Sequence, residues 1–284
     1  MKISIEAPCK INLFLDIIEK RPDGYHAIET AFHTIGLCDR ISLKDAERTT
    51  LSVSGRYAAL TGDPENNLIM KVYRFFSEEY DFDRPLAIDL EKNVPVGAGL
   101  GGGSSDAAHI IMALDRIGTL GLDAATMSAI AVRFGADVPF FINGGFAWGS
   151  GIGEVLTPYP NRLSGYAVIA YPRIAIATKD AYQMMSPADF NRGNMAAFQA
   201  SLNGPVDKID KMCYNIFQEV LLKGNDELAR AKKAMERTAS AEAHLSGSGS
   251  AFFFLFDTRR KATLVHHALT DGCANIDVFL APLA

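Results

Sequence analysis

Pro95-Val96-Gly97-Ala98-Gly99-Leu100-Gly101-Gly102-Gly103-Ser104-Ser105 is the stretch on which the reading of this 284-residue chain turns. Five of the seven residues from 97 to 103 are glycine. In regular structure each would cost roughly 0.5–1 kcal/mol relative to alanine, so such density points to a use. The apolar residues that follow, Ala107, Ile110, Ile111 and Leu114, recur at helical spacing. The loop therefore opens a helix, whose first amides lack intrahelical acceptors and carry the positive end of the dipole. Backbone without Cβ atoms, two serine hydroxyls and a helix start together make an anion site, and phosphate is the usual anion.

Other phosphate loops fit less well. Residues 97–102 satisfy GxGxxG, but Pro95 intervenes before the glycines and a second helical stretch, 124–134, stands where a dinucleotide fold needs a strand. Asp115 has the spacing of a ribose-binding acid but lies inside the first helix. No lysine precedes Ser104, so the P-loop pattern fails. A protein-kinase glycine loop would continue into a strand.

Around the loop, strands and helices come in clusters without strict alternation, which predicts an α+β protein. Residues 3–6, 11–18, 28–35, 41–43 and 86–90 read as strands, with a turn at Arg21-Pro22-Asp23-Gly24. Asn67 is placed to cap a helix carrying Leu68, Val72, Phe75 and Phe76. A hairpin is expected within 144–153, and a strand at 166–171. Residues 179–235 read as mostly helical; within them, 187–211 carries no pattern that anchors it. A strand at 251–256, a helix at 260–269 and a strand at 276–280 close the chain.

Composition narrows the class. Hydrophobic residues make up 48%, ample for ordinary cores, and the formal charge of -5 provides no basic field for nucleic acid or anionic membrane. Cys9, Cys38, Cys213 and Cys273 are far apart and form no CxxC pair, so reduced thiols are expected. Met1-Lys2 runs directly into strand-like sequence with no apolar signal segment, and a cytoplasmic location is expected. Lys10, Asn12, Tyr25, His26 and Asp137 are each unremarkable alone; lysines at such positions are usually solvated and aspartates after helices usually cap turns.

Together they fit a known pattern. The loop, continued by Asp106-Ala107-Ala108, closely resembles the phosphate loop of the GHMP kinases, which include galactokinase, homoserine kinase, mevalonate kinase and phosphomevalonate kinase. Ala7-Pro8-Cys9-Lys10-Ile11-Asn12-Leu13 resembles the first motif of that family, and Leu245-Ser246-Gly247-Ser248-Gly249-Ser250 the third. The segments 21–26, Glu29-Thr30, Asp39-Arg40-Ile41, 135–141 and 151–154 are similar to the branch that acts on a cytidyl diphosphate methylerythritol in the non-mevalonate route to isoprenoids. Cys9 stands where the family usually has alanine, and Ser250 with its aromatic run where it has smaller residues.

The resemblance implies a two-domain α+β fold, a ribosomal-protein-S5-like N-terminal domain (1–156) and a ferredoxin-like C-terminal domain (157–284), with the substrates in the cleft between them. It implies transfer of the γ-phosphate of ATP to the 2-hydroxyl of the methylerythritol unit. Asp137 would be the base and Lys10 would lie beside it, favouring a developing alkoxide. Pro95, Val96, Gly97, Ala98, Gly99, Leu100, Gly101, Gly102, Gly103, Ser104 and Ser105 would hold ATP, with Asn67 and Lys92 near the adenine. Asn12, Tyr25, His26, Thr178 and Tyr182 would hold the cytidyl substrate, Tyr182 by stacking. Mg2+ would arrive with ATP, with Ser105 a candidate contact. A monomer or weak homodimer is expected. A mevalonate- or homoserine-type kinase and a non-catalytic nucleotide-binding relative are the alternatives.

Overall fold

The structure, a computed structural model, describes residues 1–160 and 163–284. It divides into two compact units. The first comprises Met1–Cys9, Cys38–Val96 and Gly101–Gly144; the second comprises Lys10–Leu37, Gly97–Leu100 and Gly145–Ala284. Two long strands, β1 (Lys2–Lys20) and β2 (His26–Asp45), contribute residues to both.

In the first unit β3 (Thr50–Ser54) runs parallel to β4 (Leu86–Glu91), which pairs antiparallel with residues 40–45 of β2. Helix α1 (Leu68–Glu79) packs on α2 (Gly102–Gly118). Helices α3 (Ala124–Val132) and α4 (Phe140–Asn143) pack on α2 as well. The helical spacing read from the sequence is the buried face: Val72 and Phe76 on α1, and Ala107, Ile110, Ile111 and Leu114 on α2, are all at 0% exposure. Asn67 caps α1 as expected, its Oδ1 accepting from the Ile69 amide at 3.0 Å.

In the second unit β5 (Phe146–Ser150) pairs antiparallel with residues 30–33 of β2 and with β6 (Val155–Tyr159), giving a hairpin whose second strand runs beyond the predicted span. Strand β7 (Tyr166–Tyr171) lies in a second sheet. The predicted helical stretch contains α5 (Thr178–Gln183), α6 (Met195–Ser201), α7 (Val206–Asp210), the short β8 (Tyr214–Asn215), α8 (Ile216–Gly224) and α9 (Asp226–Ala239). The segment that carried no pattern thus holds α6 and α7. After β9 (His244–Leu245) come β10 (Phe252–Phe256), α10 (Arg259–Gly272) and β11 (Asp277–Pro282). The second sheet has the order β11-β7-β10-β9 and is antiparallel throughout. Phe252 and Phe254 from β10 and Val168 and Ala170 from β7 enter a core with Leu228 and Met235 of α9 and Leu269 of α10.

β2 is continuous where two shorter strands were expected. The break in its apolar pattern is Asp39, which is fully buried. Its Oδ1 accepts from the amides of Asn93 and Val94 at 2.6 and 2.8 Å, so the charge is satisfied and the strand need not stop. All four cysteines are free thiols.

Candidate active site

In the second unit the segment Ala98-Gly99-Leu100 is held through all of its carbonyl groups. The Ala98 carbonyl accepts from the Ala251 amide at 3.1 Å and the Leu100 carbonyl from the Lys10 amide at 2.9 Å. The Gly99 carbonyl accepts from Ser246 Oγ at 3.0 Å. Gly99 has φ +79°, and a Cβ there would stand 2.0 Å from the Ser246 carbonyl oxygen, so no other residue fits. Gly97, Gly99 and Gly101 have positive φ while Ala98 and Leu100 do not. That alternation of sign is the pattern of a backbone nest, in which successive N–H groups converge on an anion. All three sequence motifs therefore meet in this unit: Lys10, the first half of the loop, and the 246–251 turn.

The Lys10 side chain is 3% exposed. Its ammonium donates to Asn12 Oδ1 at 2.5 Å and lies 5.3 Å from the Phe32 ring centre. Asn12 Nδ2 donates to Thr30 Oγ1 at 2.8 Å, and that hydroxyl donates to the Phe14 carbonyl at 2.7 Å. β1 and β2 thus fix the Lys10 head group through a short chain of side chains. Asn12 orients Lys10, a role beyond the substrate contact expected of it.

The residues expected to read the cytidyl group also lie in this unit. His26 stacks on Tyr182, ring centres 5.0 Å apart and planes at 21°. Phe190 meets His26 edge-on at 5.7 Å and Phe217 meets Tyr182 edge-on at 4.8 Å. Burial, helped by the Lys20 charge, holds the His26 imidazole below its ordinary pKa and so favours the neutral ring. Thr178, at the start of α5, shares a 2.9 Å hydrogen bond with Ser248 in the glycine turn. Tyr25 is 61% exposed at the end of the 21–25 turn.

In the first unit the chain enters from buried Pro95 and half-buried Val96 and leaves the loop into α2. Among the described residues, the other helices of eight or more residues begin with a side-chain cap: Asn67, Asp123, Asn215, Asn225 or Thr258. α2 begins at Gly101 with no side-chain cap. Its first-turn amides are left to an external acceptor, and phosphate oxygens would serve. Gly103 is exposed and Ser104 half-buried on that turn. Ser105 is fully buried and its Oγ donates to the Pro8 carbonyl at 2.7 Å, which suits a structural link better than a metal contact. No cluster of three or more His, Cys, Asp or Glu side chains suited to a metal ion occurs among the described residues.

Lys92 and Asn67, expected near the adenine, are engaged within the protein. Lys92 is 3% exposed, and its ammonium donates to Asp39 and, at 2.7 Å, to Asp106 on the second turn of α2. Burial works to lower the Lys92 pKa, but Asp106 and Asp39 together raise it above its ordinary value. Burial pushes the Asp106 carboxyl up to about 7, with the Asp39 charge adding to burial and Lys92 opposing it. The Asn67 carboxamide oxygen is the α1 cap. Asp137 lies in the turn between α3 and α4. Asp39, Asp106 and Ser246 each fall within a motif quoted from the sequence, but sequence reasoning gave none of them a role of its own.

The chain matches the GHMP kinases N terminal domain over residues 67–145 and the GHMP kinases C terminal domain over 194–275. It is 31% identical over 277 residues to 4-diphosphocytidyl-2-C-methyl-D-erythritol kinase of a Geobacillus species, covering 97% of this chain and 96% of that protein. It is 34% identical to the kinase of the same name from Listeria welshimeri, covering 97% and 95%. The chain belongs to the 4-diphosphocytidyl-2-C-methyl-D-erythritol kinase family of GHMP kinases. A solved structure titled 4-(cytidine 5'-diphospho)-2C-methyl-D-erythritol kinase superposes with a TM-score of 0.83 at 31% identity, covering 99% of each chain. As a member of this family the chain is an ATP-dependent small-molecule kinase, and the α+β architecture expected from its sequence is the one found. No helix among the described residues is long and apolar enough to cross a membrane.

Proposed function

We propose that this kinase transfers the γ-phosphate of ATP to the 2-hydroxyl of 4-diphosphocytidyl-2-C-methyl-D-erythritol, in the non-mevalonate route to isoprenoid precursors. The observation that carries the proposal is likeness over nearly the full length of both chains to kinases named for that substrate. The uncapped start of α2 and the alternating φ of the loop support its donor half. The stacked His26–Tyr182 pair supports its acceptor half, because stacking plus a few hydrogen bonds is how proteins select an unpaired base.

Phosphoryl transfer asks the protein chiefly to position reactants and stabilise spread negative charge. In this reading residues 97–105 hold the phosphates, Ser104 supplies the hydroxyl on the first helical turn, and MgATP enters as one substrate. Asp137 takes the proton of the attacking hydroxyl. Lys10, oriented by Asn12 and Thr30, stabilises the oxygen as it becomes an alkoxide. His26, Tyr182, Tyr25 and Thr178 hold the cytidyl end. Lys92 and Asn67 act on the adenine only through the backbone they brace. The family matches fall on either side of residue 156, which supports N- and C-terminal kinase domains over 1–156 and 157–284. The enzyme is read as cytoplasmic, a monomer or a weak homodimer.

Asp137→Ala tests the assignment. Loss of a positioned base lowers rate by about 10²–10⁴-fold. Turnover of the cytidyl substrate in a coupled ADP-release assay is expected to fall within that range while ATP affinity holds. Turnover within about threefold of the parent enzyme would remove Asp137 from the base role. Turnover of mevalonate or homoserine in place of the cytidyl alcohol would move the enzyme to another GHMP branch.

A further inference from the structure

Asn215 has no part in the reading above. It is 6% exposed, at the junction of β8 and α8. Its Nδ2 donates twice, to the Leu245 carbonyl at 2.8 Å and the Gly247 carbonyl at 2.9 Å. Its Oδ1 accepts from the Phe217 amide at 2.9 Å and so caps α8. One helical turn on, Gln218 Oε1 accepts from the Leu245 amide at 2.8 Å. The carbonyls of Leu245 and Gly247 flank Ser246, whose hydroxyl holds the Gly99 carbonyl. The turn is in contact with the loop at van der Waals limits, since a Cβ on Gly247 would lie 2.9 Å from the Gly99 carbonyl oxygen and 3.4 Å from Lys10 Nζ. The route from Asn215 to Gly99 is thus one residue long, and each link is a hydrogen bond or a close packing contact.

We infer that Asn215 is a positioning residue for the phosphate loop: its two donors set the 245–247 backbone, which places Ser246 and thereby the amides beside Gly99. The inference rests on the proposed role of that loop in holding ATP. Only a side-chain amide meets the three demands at this position, two donors toward carbonyls and one acceptor toward a helix amide. Aspartate and serine retain the cap, because both serve well at an N-cap, but neither can donate to both carbonyls.

Asn215→Asp therefore separates the loop role from the helix cap. Direct titration with ADP and with a non-hydrolysable ATP analogue, together with KM for each substrate, reads the difference. Losing two buried hydrogen bonds that order the loop is expected to weaken nucleotide binding and raise KM for ATP by about tenfold. KM for the cytidyl alcohol should stay within about twofold, a split that a general loss of structure would not produce. If Asn215→Asp does not fold, Asn215→Ser is expected to show the same split with less repulsion at the carbonyls. Ser246→Ala should shift ATP in the same direction, and the double variant should show less than the sum of the two effects. Unchanged nucleotide binding in a folded Asn215 variant overturns the inference. So does an equal rise in both KM values. If the parent enzyme fails to bind nucleotide, the phosphate-loop reading fails, and the inference fails with it.

Discussion

The two halves of the glycine loop are fastened by opposite means. Residues 97–100 are held by neutral contacts: two backbone amides, the Ser246 hydroxyl and a glycine packed against a carbonyl. The stretch on the α2 side is fastened by charge, with Lys92 donating to Asp39 and Asp106 while Asp39 also takes the amides of Asn93 and Val94. Neutral backbone contacts depend on shape and little on solution conditions. A buried charge cluster depends on every member being present and on pH. The same functional element should therefore fail in two distinguishable ways.

Shape should give the largest effect. Gly99→Ala sets a methyl 2.0 Å from the Ser246 carbonyl oxygen at φ +79°, so the loop or the 246–251 turn must move. Nucleotide binding is expected to be lost, and the melting temperature to fall. Gly103→Ala on the α2 side meets nothing within 4 Å and lies in the helix, where alanine is favoured by about 0.5–1 kcal/mol. It should melt no lower than the parent. Similar behaviour of the two variants in melting and nucleotide titration would erase the contrast between the halves.

Charge should come next. Lys92→Met leaves Asp39 and Asp106 facing each other without a cation, and breaking such a buried set costs about 3–5 kcal/mol, measurable by urea unfolding. The pH dependence has a definite sign. In the fold Asp106 keeps its proton up to about pH 7, chiefly because it is buried, whereas the unfolded chain releases it in the ordinary carboxylate range. Between those limits the native state binds more protons, so this contribution is full below the range and is lost as pH rises through about 7. Asp106→Asn should come closest to the parent near about pH 4, and its advantage should grow as pH rises to about 7 and persist near about pH 8. A parallel pair of stability curves would show that Asp106 is ionised throughout. The gap between Gly99→Ala and the parent should be the same at every pH, because both keep Asp106.

The contrast also explains what could be read in advance. The loop, the α2 face and the strand at Tyr166–Tyr171 were legible because each is a local pattern: glycine density, helical spacing, an apolar run. Lys10 and Asp137 were singled out only as parts of a family motif, since each alone resembles a surface charge. Lys92 was singled out through the family resemblance, as a residue near the adenine, but its carboxylate partners lie 53 and 14 residues away, and nothing in the spacing announces them. Asn215 is more distant still, 30 and 32 residues from the carbonyls it holds. The two-residue strands β8 and β9 are too short to show a period, and they exist because neighbouring strands offer partners.

The serines make the finest test of the division. Ser104 and Ser105 are adjacent in sequence and equivalent as donors, yet Ser105 is fully buried with its hydroxyl on the Pro8 carbonyl, while Ser104 is half-buried on the open turn. Removing the Ser105 hydroxyl leaves the carbonyl of half-buried Pro8 short of a donor, so Ser105→Ala should cost about 1 kcal/mol in unfolding free energy. Its effect on KM for ATP should be small, because Pro8 and Ser105 belong to the same unit and the α2 start stays anchored through Asp106. Ser104→Ala should do the reverse, leaving stability unchanged and raising KM for ATP by several-fold. If Ser105→Ala weakens ATP while leaving stability intact, its hydroxyl faces the nucleotide in the working enzyme, and the charge cluster alone secures the α2 side of the loop.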